Sequence, residues 1–123
     1  GPEDAALAAA ITAAAPKARS AVGQLTLRQS AALIQHAALL VTNDSAPLHL
    51  ATAVGTPILA IFGPTVPAFG YGPIRPGDRV AELTMECRPC SLHGPQVCPL
   101  RHHTCMKLQT VESVLQKVGP LLK

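Results

Sequence analysis

Two short apolar runs bracket a helix-length segment, and that spacing constrains the fold more than any other feature of the chain. Leu39-Leu40-Val41-Thr42 and Ile58-Leu59-Ala60-Ile61-Phe62 each end at turn-forming residues, as buried strands do. Between them Pro47-Leu48-His49-Leu50-Ala51-Thr52-Ala53-Val54 has helix-forming content, with Pro47 in the first turn and Gly55 just past the end. Two strands joined by a helix form a parallel crossover unit. Such sheets bind ligands outside the carboxyl ends of their strands, where Asn43-Asp44-Ser45 and Gly63-Pro64-Thr65 both fall.

That placement suggests an anion site. A helix start offers free backbone N–H groups and the positive end of the macrodipole. With Ser45 as N-cap, its hydroxyl takes one donor, and Pro47 has none to give. Backbone N–H groups of Ser45, Ala46, Leu48 and His49 are then candidates to face a phosphate. The His49 ring, about one turn inside, leans back toward the same anion. Asp44 would repel a pyrophosphate, but it suits the hydroxyl groups of an adjoining sugar. A plainer role fits the same residues: Asp44 and Ser45 capping a helix, with His49 a half-buried, satisfied ring.

The rest of the chain reads as alternating elements. Pro2-Glu3-Asp4-Ala5 opens a helix with acidic residues in its first turn, and Pro16 follows its end. Residues 18–22 read as a short strand with Gly23 as the turn. Thr26-Leu27-Arg28-Gln29 is a capping-box pattern for a helix to about Ala37, with Leu27, Ala31, Ile34 and Ala38 on one stripe. After Phe62 a Pro- and Gly-rich loop runs through Asp78 and contains Phe69-Gly70-Tyr71-Gly72-Pro73; loops of that length are usually functional or mobile. Residues 79–83 read as one more strand. A cysteine-rich loop segment spans 85–107. A helix over 110–118 then ends at Gly119-Pro120.

Within that segment Cys87, Cys90, Cys98 and Cys105 stand among His93, His102 and His103. Four soft thiolates in a short irregular stretch suit zinc, yet the second close Cys-x2-Cys of a zinc ribbon is missing. Reduced structural thiols, a zinc site and two disulfides all stay open, and no metal is assigned. With 123 residues and 48% hydrophobic content, the chain is long enough for one globular domain. A net charge of +3 without a basic run argues against nucleic acid as a partner. No stretch has the apolar length to span a bilayer. Glu3-Asp4 precedes the apolar residues 5–15 where a signal peptide would carry positive charge.

The ordered set Asn43-Asp44-Ser45-Ala46-Pro47-Leu48-His49-Leu50-Ala51, Gly55-Thr56-Pro57 and Phe62-Gly63-Pro64-Thr65 resembles the donor-binding half of the heptosyltransferase family, glycosyltransferase family nine. Ala46 departs from it, standing where many members carry Gly. Gly1-Pro2-Glu3-Asp4, Leu25-Thr26-Leu27 and the cysteine segment extend the likeness through nearly the whole chain. The resemblance implies a truncated Rossmann-like parallel sheet with flanking helices, the C-terminal half of a GT-B glycosyltransferase. Residues 1–123 would form a partial C-terminal nucleotide-sugar-binding domain, with the N-terminal acceptor domain absent.

By the same resemblance the activity is transfer of heptose from ADP-heptose to the lipopolysaccharide inner core of a bacterium. Asp44, Ser45, Ala46, Leu48, His49, Gly63 and Thr65 would take the sugar and phosphates, Leu25 and Thr26 would edge the adenine, and Asp4 would approach the ribose hydroxyls. No catalytic residue is assigned within this chain, and no cofactor is required. The implied location is the cytoplasm, at the periphery of the inner membrane. A GT-B transferase using another nucleotide sugar, such as a UDP-hexose, and a zinc-stapled non-catalytic interaction module are the alternatives.

Overall fold

The structure, a computed structural model, describes residues 2–122. It divides into two compact units, Gly1–Leu33 and Ile34–Lys123.

In the first unit a 3-10 turn at Pro2–Asp4 leads into α1 (Ala5–Ala14), whose alanine-rich sequence favours helix. None of its side chains is buried, and Leu7 and Ile11 are exposed. The Ala15 N–H reaches Ile11 O at 2.9 Å, and Pro16 has no N–H to continue the ladder. The strand expected over 18–22 does not form. Ser20 Oγ accepts from the Val22 N–H at 3.3 Å, and the Gln24 N–H reaches Ala21 O at 3.1 Å. These bonds close a turn around Gly23 (φ 69°) in place of a strand ladder.

Thr26 opens α2 (Leu27–Gln35) with the expected reciprocal cap. Thr26 Oγ1 accepts from the Gln29 N–H at 3.3 Å, and Gln29 Oε1 accepts from the Thr26 N–H at 2.8 Å. Of the expected apolar stripe, Ile34 packs on the core of the second unit, whereas Leu27 is 70% exposed.

The second unit holds β1 (Leu40–Asn43), α3 (Ala46–Val54), β2 (Ile58–Ile61), β3 (Arg79–Ala81), α4 (Thr104–Lys107) and α5 (Val111–Val118). The strands form one parallel sheet in the order β1-β2-β3. Leu40 pairs with Ile58 and Asn43 with Ile61; Leu59 pairs with Arg79 and Ile61 with Ala81. The predicted helical crossover from β1 to β2 is therefore present. Gly55 ends α3 in the left-handed region (φ 83°), its N–H bonded to Ala51 O, a conformation that costs a glycine little.

Leu48 and Ala51 of α3 meet Ile58, Ala60 and Phe62 in the core, with Leu40 and Val80 packed beside them. Leu48 and Phe62 are fully buried, each contributing about 1.5–3 kcal/mol relative to an exposed side chain. Central β2 is buried, but β1 alternates between half-buried and exposed positions. Its expected full burial is corrected by its place at the sheet edge, where Val41 faces solvent.

The cysteine segment, read as loop throughout, contains the short α4. At α5 Thr110 accepts from the Ser113 N–H at 3.2 Å, a standard N-cap. α5 ends at Val118 ahead of Gly119-Pro120, as expected, but the backbone does not turn away at once. Gly119 keeps right-handed helical angles, and a 3-10 turn continues over Gly119–Leu121 with Pro120 in its first positions, where a missing N–H is harmless.

Candidate functional site

The carboxyl ends of β1 and β2 deliver Asn43-Asp44 and the Phe62-Gly63-Pro64-Thr65 loop to one place. A cavity of about 240 Å³ there is lined by Asn43, Asp44, Ile61, Gly63, Pro64, Thr65, His93 and Met106. Thr65 is buried, and its hydroxyl donates to Asp44 Oδ2 at 2.7 Å. Asp44 is thereby fixed by one oxygen; no other hydrogen bond to its carboxylate is made among the described residues, so the second oxygen is open as an acceptor.

Beside Asp44 stands the start of α3. Ser45 occupies the N-cap position with extended angles (φ −161°, ψ 171°), but its side chain makes no capping bond. Its Oγ instead donates to Asn43 O at 3.2 Å and lies 3.3 Å from Thr42 Oγ1. The expected Ser45 cap is thus corrected: the hydroxyl turns back on the preceding strand end. Leu48 is corrected as well, because its N–H is bonded to Ser45 O at 3.0 Å and its side chain is in the core. The N–H groups of Ser45 and Ala46 make no hydrogen bond among the described residues. They are the open donors at the positive end of this nine-residue helix. The His49 side chain is exposed on α3, not half-buried and satisfied.

Asp4, Leu25 and Thr26 lie in the first unit. Asp4 immediately precedes α1 and makes no capping bond, Leu25 is 37% exposed, and the Thr26 hydroxyl is engaged with Gln29.

Four consecutive carbonyls of the loop over β2 are each held by a later part of the chain. Gln109 Nε2 donates to Phe62 O at 2.9 Å and to Cys105 O at 2.8 Å. Arg88 Nε donates to Gly63 O, the Cys90 N–H to Pro64 O at 2.9 Å, and Arg88 Nη2 to Thr65 O at 2.7 Å. The Arg88 side chain is 4% exposed; it also donates to Leu83 O and pairs with Glu82 at 2.9 Å. A planar five-donor fork suits several carbonyls at once. Gly63 lies close under Met106: an added Cβ would come 2.4 Å from its Sδ, so the Met106 side chain would have to shift to admit one.

Arg88, Gln109, Tyr71 and Met106 were not singled out from sequence, and His93 was grouped with the cysteines. The nearest available signal was the placement of Arg88 and His93 within an otherwise cysteine-defined segment.

The four cysteines are free thiols. Cys90, Cys98 and Cys105 line a small cavity of about 50 Å³ with His103 and Met106. Among the described residues, no three His, Cys, Asp or Glu side chains stand where they could hold a metal ion. Burial pushes the Cys90 thiol up, helped by the neighbouring Cys87, Cys105 and Cys98 and opposed by Arg88. The Cys98 thiol is lowered, first by the backbone N–H of His103 and then by those of Leu100, His102 and Arg101, against desolvation.

A three-stranded parallel sheet with flanking helices has the form of a truncated Rossmann-like domain, consistent with part of a GT-B transferase. The chain belongs to glycosyltransferase family 9 (heptosyltransferase), whose family model matches residues 1–98. It is 32% identical over 107 residues to lipooligosaccharide heptosyltransferase 2 of Campylobacter jejuni, covering 87% of this chain and 33% of that one. Lipopolysaccharide heptosyltransferase 3 of Escherichia coli is 44% identical over 50 residues, 41% of this chain and 15% of its own. Lipopolysaccharide heptosyltransferase 2 of Salmonella typhimurium is 33% identical over 75 residues, 49% of this chain and 22% of its own. The chain spans about a third of the length of the first of these relatives. No solved structure matches it significantly. No helix among the described residues is long and apolar enough to cross a membrane.

Proposed function

We propose that these residues form donor-binding machinery of a transferase that moves heptose from ADP-heptose to the lipopolysaccharide inner core, working at the cytoplasmic side of the inner membrane. The observation that carries this reading is the pairing of a fixed carboxylate with open helix N–H groups: Asp44, held by Thr65, beside Ser45 and Ala46. A sugar diphosphate presents both chemistries that this pair can take, hydroxyl groups for Asp44 and phosphate oxygens for the N–H groups.

In the transfer, an acceptor hydroxyl oxygen bonds to C1 of the sugar while the C1–O bond to the phosphate breaks. The bonding pair leaves with ADP, and the acceptor proton passes to a general base outside the residues assigned here. The helix start stabilises the developing phosphate charge, so the reading requires no metal. His49, exposed in the first turn of the same helix, would add to that stabilisation.

Titrating the chain with ADP and with UDP, followed by amide chemical shifts, tests the donor class. ADP should bind more tightly and shift Ser45 and Ala46. Equal or tighter binding of UDP refutes ADP-heptose as the donor. No response from either nucleotide refutes the donor site.

A further inference from the structure

The space around Asp44 is short of positive charge. Beyond the larger cavity, Asp44 lines a recess of about 160 Å³ with Tyr71, Leu92 and His93. Of all the side chains lining these two spaces, Asp44 is anionic, and His93 alone can become a cation. A nucleoside diphosphate bound there brings further negative charge next to that carboxylate. Ser45 and Ala46 answer it with neutral dipoles only.

His93 is exposed, yet its backbone is tethered on both sides. Three residues earlier the Cys90 N–H holds Pro64 O at 2.9 Å. One residue later Gly94 lies against Pro64, so closely that an added Cβ would come within 2.9 Å of its Cγ, and its φ of 74° favours glycine. The His93 ring stands 6.1 Å from the Tyr71 ring at 42°, within the range of aromatic pairs. The cysteine segment therefore presents an imidazole to the same space that Asp44 faces.

We infer that His93 is a donor-contacting residue, giving a ring N–H to a phosphate oxygen of the nucleoside diphosphate bound beside Asp44. The inference rests on the donor-site reading above and adds to it the one basic side chain among those lining the two spaces that Asp44 faces.

The test is a titration of the chain, of His93→Ala and of His93→Gln with ADP and, separately, with adenosine. His93→Ala should bind ADP about tenfold more weakly and bind adenosine unchanged, as expected for loss of a charge-assisted bond to phosphate. His93→Gln, which keeps an N–H donor to the charged phosphate but carries no positive charge of its own, should lose less, about threefold. Unchanged ADP affinity in both variants overturns the role of His93 while leaving the donor site standing. So does an equal loss for ADP and adenosine, the mark of a disturbed wall. If His93→Ala melts lower than wild type, His93→Gln at the wild-type melting temperature decides by the same comparison. Failure of the unmutated chain to bind ADP overturns the donor-site reading and this inference with it.

Discussion

Replacing Arg88 with Met should unfasten the loop over β2, and the size of the effect follows from its bonds. The guanidinium holds Gly63 O, Thr65 O and Leu83 O, and pairs with Glu82. Met keeps much of the aliphatic stem but no donor. Gly63 and Thr65 are buried, so their carbonyls lose partners without gaining free access to water, at about 1–2 kcal/mol each. Leu83 is half-buried and Glu82 is 38% exposed on its side chain; hydration and solvent screening make their share small. The expected loss is about 3 kcal/mol. For a folding unit of this size that lowers the melting temperature by roughly 12–24 °C. Urea unfolding of Arg88→Met beside wild type should show the midpoint falling with an unchanged slope. Arg88→Lys, a point donor with full charge, should recover part of the loss. A loss below about 1 kcal/mol in Arg88→Met would show that Cys90 and Gln109 hold the loop without the fork.

Thr65→Val keeps the side-chain shape but removes the hydroxyl from Asp44; stability should fall by about 1 kcal/mol and ADP affinity several-fold. Unchanged urea midpoint and ADP affinity would detach Thr65 from the site. With its thiol pKa lowered, Cys98 holds more thiolate at a given pH than Cys90, whose pKa is raised. Iodoacetamide near neutral pH should therefore label Cys98 first, and mass spectrometry finding Cys90 labelled earlier would reverse that assignment. The 123-residue chain on its own should transfer no heptose from ADP-heptose to acceptor lipid, because none of its residues is assigned as the general base. Measurable transfer in a radiolabel assay would mean a base among these residues had been overlooked.

The β1-α3-β2 unit was legible because each signal in it is local. Apolar runs mark Leu40–Asn43 and Ile58–Ile61, Pro47 and Gly55 mark the helix ends, and Thr26 with Gln29 marks another. The placement of Asp44 and Gly63 at one sheet end then followed from topology. What failed depended on choices between near-equal partners. Ser45 had an N-cap bond available but turned to Asn43 O, and the 18–22 segment closed a turn where a strand was expected. Arg88 was invisible for another reason. Its partners lie up to 25 residues away, and no periodicity or spacing encodes which carbonyl a guanidinium will meet.

The four clamped carbonyls also set an order in time. Their partners lie 23 to 47 residues further along the chain, with Gln109 the last. A ribosome adding about 5–20 residues per second exposes the loop seconds before its last clamp exists. Until then the strands can pair, and Arg88 and Cys90 can take the Gly63, Pro64 and Thr65 carbonyls, but Phe62 O has only water to bond. The match to the family model ends at residue 98, short of Gln109. A chain cut there would keep the recognisable motif and lose the side chain that holds the loop at Phe62, so the sequence that identifies this site is shorter than the sequence that finishes it.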